Sequence, residues 1–126
     1  MARVDIANLS KQFQGLRGEA VQALRNVDLV VEDHEWMVLV GPSGAGKTTL
    51  LRMIAGLEDI TEGTISIGGQ VMNRVPPKAR DVAMVFQNHA LYPHMTAGEN
   101  LAFGLKLRKL PRAEIEQRVN AAVDLL

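Results

Sequence analysis

The chain has 126 residues, with 14 Lys and Arg against 14 Asp and Glu and no cysteine. That length suits one small domain or part of a larger one. The balanced charge, with no basic stripe, gives no reason to expect nucleic acid as a partner, and a disulfide framework is excluded. The start, Met-Ala-Arg-Val-Asp-Ile, lacks the apolar core of a signal peptide. No stretch approaches the roughly 18 apolar residues of a membrane span, so any dealing with a membrane is expected to go through a partner.

Taken in order, Val4 and Ile6 alternate with Arg3 and Asp5, so residues 3–9 read as a half-buried strand. A short polar stretch from Lys11 to Gly18 carries Phe13. Val27, Leu29 and Val31 alternate with Asp28 and Glu32 as a second two-faced strand. Such strands predict an antiparallel sheet packed beside a parallel one. The unbroken apolar run Trp36-Met37-Val38-Leu39-Val40 reads as a parallel strand buried on both faces.

Next comes Gly41-Pro42-Ser43-Gly44-Ala45-Gly46-Lys47-Thr48-Thr49. Gly41, Gly46, Lys47 and Thr48 fill the fixed positions of the phosphate-binding loop, G-x-x-x-x-G-K-[ST]. Glycines let the backbone curl and turn several N–H donors inward on a polyphosphate. Lys47 supplies a charge for the β- and γ-phosphates, and the Thr48 hydroxyl is placed to ligate Mg²⁺. Leu50, Leu51, Ile54 and Leu57 follow at helical spacing, predicting a helix over 47–57 whose positive end faces the anion.

Beyond the connector 58–63, Thr64–Ile67, Gly68-Gly69 and Val71-Met72 read as a hairpin. Val82–Phe86 is a second apolar run, hence a second buried parallel strand, ending at Gln87. Thr96-x-x-Glu99 is a capping box opening a helix on which Leu101 and Leu105 share a face. Pro111 suits the first turn of another helix, with Ile115, Val119, Ala122, Val123 and Leu126 on one stripe. That stripe still runs at the last residue, which reads as a truncation.

The segments GPSGAGKTTLLRMIAGL at 41–57, GTISIGG at 63–69, VAMVFQ at 82–87 and ALYPHMTAGENLAFGLKLR at 90–108 resemble the ATP-binding subunit of ABC transporters. Among these proteins the last segment looks most like ATPases of bacterial carbohydrate importers of the maltose and glycerol-phosphate type. The resemblance implies an α/β P-loop NTPase of the ABC ATPase type with an antiparallel β subdomain. Residues 1–87 would form the nucleotide-binding core with that subdomain, and residues 88–126 the incomplete start of a helical subdomain.

It further implies ATP and Mg²⁺ held along the whole of residues 41–49. Ser43 would line the loop and Thr49 the α-phosphate side. Lys47 and Gln87 would serve the reaction, with Thr48 and Gln87 reaching Mg²⁺. Phe13 stands where the family stacks an aromatic ring on adenine; a ring plugging the small core is the competing reading, and a polar-loop setting favours stacking. Ala90–His94 resembles the surface that docks the coupling helices of a membrane permease, on the cytoplasmic face of the membrane. In the intact family two ATPase subunits pair as a homodimer.

His89 and His94, five residues apart with no third ligand nearby, are expected to serve a polar or interface role rather than bind metal. The chain departs from the family at His34, where a glycine is usual. The LSGGQ signature, the strand ending in Asp-Glu and the switch histidine do not occur in the 126 residues. Nucleotide binding without hydrolysis, and association through unpaired strand edges, are therefore expected of this chain alone. A P-loop small-molecule kinase and a non-catalytic nucleotide-binding fragment are the alternatives. A GTPase lacks its Asn-Lys-x-Asp guanine reader here.

Overall fold

The computed structural model describes residues 2–15, 18–86 and 91–125. They fall into two compact units, residues 1–84 and 85–126.

The first unit is built on a four-stranded antiparallel sheet in the order β2-β1-β3-β4. Its strands are β1 (Val4–Gln14), β2 (Ala20–Val31), β3 (Glu62–Ile67) and β4 (Gln70–Val71). The alternation read from the sequence holds at the start of β1. Ile6 is buried, while Arg3 on the other face bonds Asp5 at 2.9 Å and Glu32 at 3.1 Å. Gly68 and Gly69, with φ of 58° and 79°, form the tight turn between β3 and β4, the left-handed pair that matches strand twist in a two-residue hairpin.

One helix, α1 (Lys47–Ala55), lies on this sheet. Its Leu50 and Met53 join Ile6, Leu9, Ile65 and Met72 in the core. Burying a side chain of that size contributes about 1.5–3 kcal/mol, so the contact holds the helix firmly. The helix ends at Ala55, two residues short of the predicted Leu57, and is capped by Gly56, with the Leu57 N–H donating to the Arg52 carbonyl at 2.8 Å. That end is covered by Arg80, which is buried. Its guanidinium donates to the carbonyls of Met53 at 2.8 Å, Ile54 at 3.1 Å and Val75 at 2.8 Å. Burial lowers the Arg80 pKa from the usual arginine value, and the charge of Asp59 opposes that shift.

Three sequence expectations are corrected. Both β1 and β2 run longer than their alternating cores, so Phe13 lies in β1 opposite Val21 and not in a polar loop. The runs 36–40 and 82–86 join no strand among the described residues. Trp36 and Val85 are 95% and 90% exposed, and only Leu39 of the first run packs on the core. The physical reason is that an apolar run becomes a parallel strand only with a ladder beside it, and the described strands pair solely with one another in the antiparallel sheet. His34 has φ 62°, the left-handed conformation that glycine adopts without strain, so the changed turn residue occupies a glycine-like geometry.

The second unit contains α2 (Ala97–Leu107) and α3 (Arg112–Asp124). The capping box is formed: Thr96 Oγ1 accepts from the Glu99 N–H at 3.2 Å and Glu99 accepts from the Thr96 N–H at 2.8 Å. The Thr96 backbone and side-chain hydrogen bonds hold the Glu99 carboxyl below its usual pKa. Its contribution is therefore complete above the ordinary carboxylate pKa and fades as pH falls through the depressed folded value. Pro111 sits just before α3, one position earlier than expected. Ile115, Val119 and Ala122 are half-buried, Val123 is exposed, and Leu126 lies outside the described residues.

Replacing Arg80 by Met would remove the three hydrogen bonds it donates to the Met53, Ile54 and Val75 carbonyls and is expected to cost about 2–4 kcal/mol. Thermal unfolding should show a lower Tm, with Arg80→Lys recovering only part of it, because an ammonium cannot span three carbonyls as a planar fork does.

Candidate nucleotide-binding site

The loop between the end of the 36–40 run and α1 is a chain of turns. The Ala45 N–H donates to the Pro42 carbonyl at 3.3 Å. Gly44 and Gly46 have φ of 79° and 82°. Residues 41–45 are exposed, Gly46, Lys47 and Thr49 half-buried, and Thr48 exposed.

Gly46 carries two constraints at once. Its φ lies in the left-handed region, and a Cβ built there would stand 2.7 Å from the Ala23 carbonyl oxygen and 2.8 Å from Leu24 Cδ2. The loop therefore rests its backbone directly against β2. The same residue opens α1, with the Leu50 N–H donating to its carbonyl at 2.9 Å. As a glycine it offers no side-chain cap, and the first turn holds no acidic residue. The first amides of a helix have no partner within it, so those of α1 remain available, together with the positive end of its dipole, for an anion.

Lys47 bends back along the loop. Its ammonium donates to the carbonyls of Gly41 at 2.8 Å and Pro42 at 2.7 Å. A single cation thus bridges the entry of the loop and the start of the helix. Phe13 is set apart from the loop in sequence but not in the sheet. It pairs with Val21 on β2, two residues from Ala23, whose carbonyl Gly46 abuts. That separation is about 7 Å along the strand. The glycine loop and an aromatic ring thus share one short strip of β2.

Mg²⁺ keeps most of its octahedral shell as water and phosphate oxygen, so one or two protein oxygens are enough for it. The Thr48 hydroxyl in the first turn of α1 is a donor of that kind. Among the described residues no group of three His, Cys, Asp or Glu could hold a metal. This donor set fits an ion that arrives with a triphosphate. Gln87, expected to reach the same ion, lies outside the described residues, as do His89 and Ala90.

In the second unit, Tyr92–Met95 form a turn whose key residue the sequence reading missed, the Met95 N–H donating to the Tyr92 carbonyl at 3.0 Å. The Asn100 side chain accepts from the Tyr92 N–H at 2.9 Å and donates to the carbonyls of Met95 at 3.2 Å and Thr96 at 2.9 Å. The Tyr92 ring packs on Phe103 at 4.6 Å between centroids, and His94 meets it edge-on at 6.0 Å. Leu91, Pro93, Met95 and Leu101 help line a groove of about 590 Å³ there. An asparagine one turn into a helix is an ordinary sight, so nothing in the sequence marked it.

The sequence model of the ABC transporter family matches residues 24–126. This chain belongs to the ABC transporter family. It is 56% identical over all 126 residues to the sn-glycerol-3-phosphate import ATP-binding protein of Brucella abortus, and 52% identical to that of Cereibacter sphaeroides. The chain spans 35% of the length of either relative. Among solved structures, a dimeric ATP-binding cassette in a post-hydrolysis state bound to ADP and Pi matches with a TM-score of 0.83 at 31% identity. That match covers 96% of this chain and 54% of the cassette. The ABC ATPase fold expected from the sequence is thereby shown. No helix of the described residues is long and apolar enough to cross a membrane.

Gly46→Ala is expected to lower the Tm and weaken binding of a triphosphate at least tenfold, since the new Cβ must displace either β2 or the loop. Calorimetric titration of the variant checks this. Affinity and Tm equal to the unsubstituted chain would show that Gly46 is not held against β2.

Proposed function

We propose that this ABC transporter chain binds MgATP between the amides of residues 41–49 and the ring of Phe13. In the intact protein it would couple ATP hydrolysis to uptake of a solute. The observation that carries this reading is the mounting of the phosphate loop: an uncapped helix start, a bridging ammonium and a glycine pressed on β2, all beside Phe13.

The chemistry assigned to these residues follows from charge. Amides at the start of α1 and the Lys47 ammonium would hold the β- and γ-phosphates and offset the charge that gathers on them during transfer. Thr48, with Gln87, would hold Mg²⁺, which would supply positive charge to offset that of the phosphates. Gln87 would also orient the attacking water. Thr49 would sit on the α-phosphate side, and Ser43 would line the loop.

The named relatives import sn-glycerol 3-phosphate, which supports a phosphorylated or other small carbohydrate as the solute. We assign permease docking to Ala90–His94, supported by the groove beside Asn100. Residues 1–87 would then be the nucleotide-binding core with its antiparallel subdomain, and residues 88–126 the start of a helical one. Pairing with a second ATPase subunit is supported by the dimeric cassettes of like fold. The chain would sit on the cytoplasmic face of the membrane, held there by the permease.

Lys47→Ala in the intact protein is expected to reduce kcat for ATP hydrolysis by about 10²- to 10³-fold, and to weaken MgATP binding measured by calorimetry. Unchanged turnover and unchanged binding would refute the assignment.

A further inference from the structure

Lys11 is the most deeply buried ammonium of the first unit among the described residues, with its side chain only 10% exposed. An isolated charge at such a site is costly, and it stays only when paired. Two partners meet that need: Glu58 at 2.6 Å and the Asp59 carbonyl at 2.6 Å. Both belong to the segment leaving α1. These two contacts explain why the lysine is tolerated. They do not explain its third neighbour, the ring of Phe13, whose centroid lies 4.7 Å from the ammonium.

That third contact has a direction. The ammonium lies over the ring, while Phe13 as a whole remains 37% exposed. A ring serving only as core filling would be buried. Lys11 also pairs across the sheet with Leu24, and Phe13 with Val21. Leu24 is the side chain that Gly46 abuts. The cation, the ring and the phosphate loop thus all lean on residues 21–24 of β2.

We propose that Lys11 is a positioning residue for base recognition, clamping the Phe13 ring as a platform for the adenine of ATP. The inference rests on the nucleotide site proposed above. The clamp acts in two ways. It ties the ring through Glu58 and Asp59 to the far end of the helix whose near end holds phosphate, so base and phosphate sites keep their spacing. It also places positive charge behind the ring, drawing π density away from the side that meets an electron-rich purine. Lys11 touches neither phosphate nor base.

The test is calorimetric binding of MgATP and of magnesium tripolyphosphate, which has no base, to the full chain and its Lys11→Met, Lys11→Arg, Phe13→Ala and Lys11→Met/Phe13→Ala variants. Lys11→Met is expected to weaken ATP about three- to tenfold and to leave tripolyphosphate unchanged. Lys11→Arg, which keeps the cation over the ring, should retain most of the ATP affinity. In the Phe13→Ala background the lysine substitution should have no further effect.

Equal weakening of both ligands by Lys11→Met, or the same loss with Phe13 absent, would reduce Lys11 to structural support and overturn the proposal. So would ATP binding that Lys11→Met leaves intact. If the unsubstituted chain bound neither ligand, the nucleotide site itself would fall. If it bound ATP and only Phe13→Ala weakened it, that site would stand and the clamp alone would fall. Should Lys11→Met not fold because Glu58 is left unpaired, Lys11→Met with Glu58→Gln removes that charge and gives the same readouts.

Discussion

The contact between Gly46 and β2 is the constraint on which the candidate site depends. Because no Cβ fits between Gly46 and the Ala23 carbonyl, the loop backbone reaches the sheet itself. Leu50 and Met53 continue the same attachment one and two turns along α1. An anion site made of amides has no side chains with which to adjust, so its precision must come from where the backbone is held. Here a glycine and two core side chains hold it.

The far end of the helix is fixed by different means. Arg80 donates to the Met53 and Ile54 carbonyls of the last turn, and its charge complements the negative end of the helix dipole. Lys11, Glu58 and Asp59 bind the segment that follows to β1. Two buried cations at the C-terminal end and an uncapped N-terminal end give α1 a consistent polarity. One end has its charge answered within the protein, while the other has no side-chain cap and no acidic residue in its first turn. Buried ion pairs add little net stability; their value here lies in fixing where the helix points.

Much of this was legible in the sequence because the signals are local. Gly46, Lys47 and Thr48 announce the loop by spacing, and Thr96 with Glu99 forms its capping box as written; of the expected helical stripe Leu50 and Ile54 reach the core while Leu51 and Leu57 are exposed. Two kinds of signal misled or stayed silent. Trp36–Val40 and Val82–Phe86 carry the composition of buried strands, but composition specifies no ladder partner, and the described strands give them none. Lys11 and Arg80 look like surface charges in a linear reading. Their burial comes from partners 47 and 27 residues away, Glu58 and Met53, which periodicity cannot show. Phe13 was placed in a loop because polar neighbours hid the continuation of β1.

The most direct measurement is amide NMR of the chain titrated with MgATP. The account predicts that the largest shift changes fall on the N–H signals of Gly44, Gly46, Lys47, Thr48 and Thr49. Saturating behaviour at a single affinity should accompany them, as expected when these donors take up phosphate oxygen. Changes confined to other residues, with these five unmoved at saturating nucleotide, would contradict it.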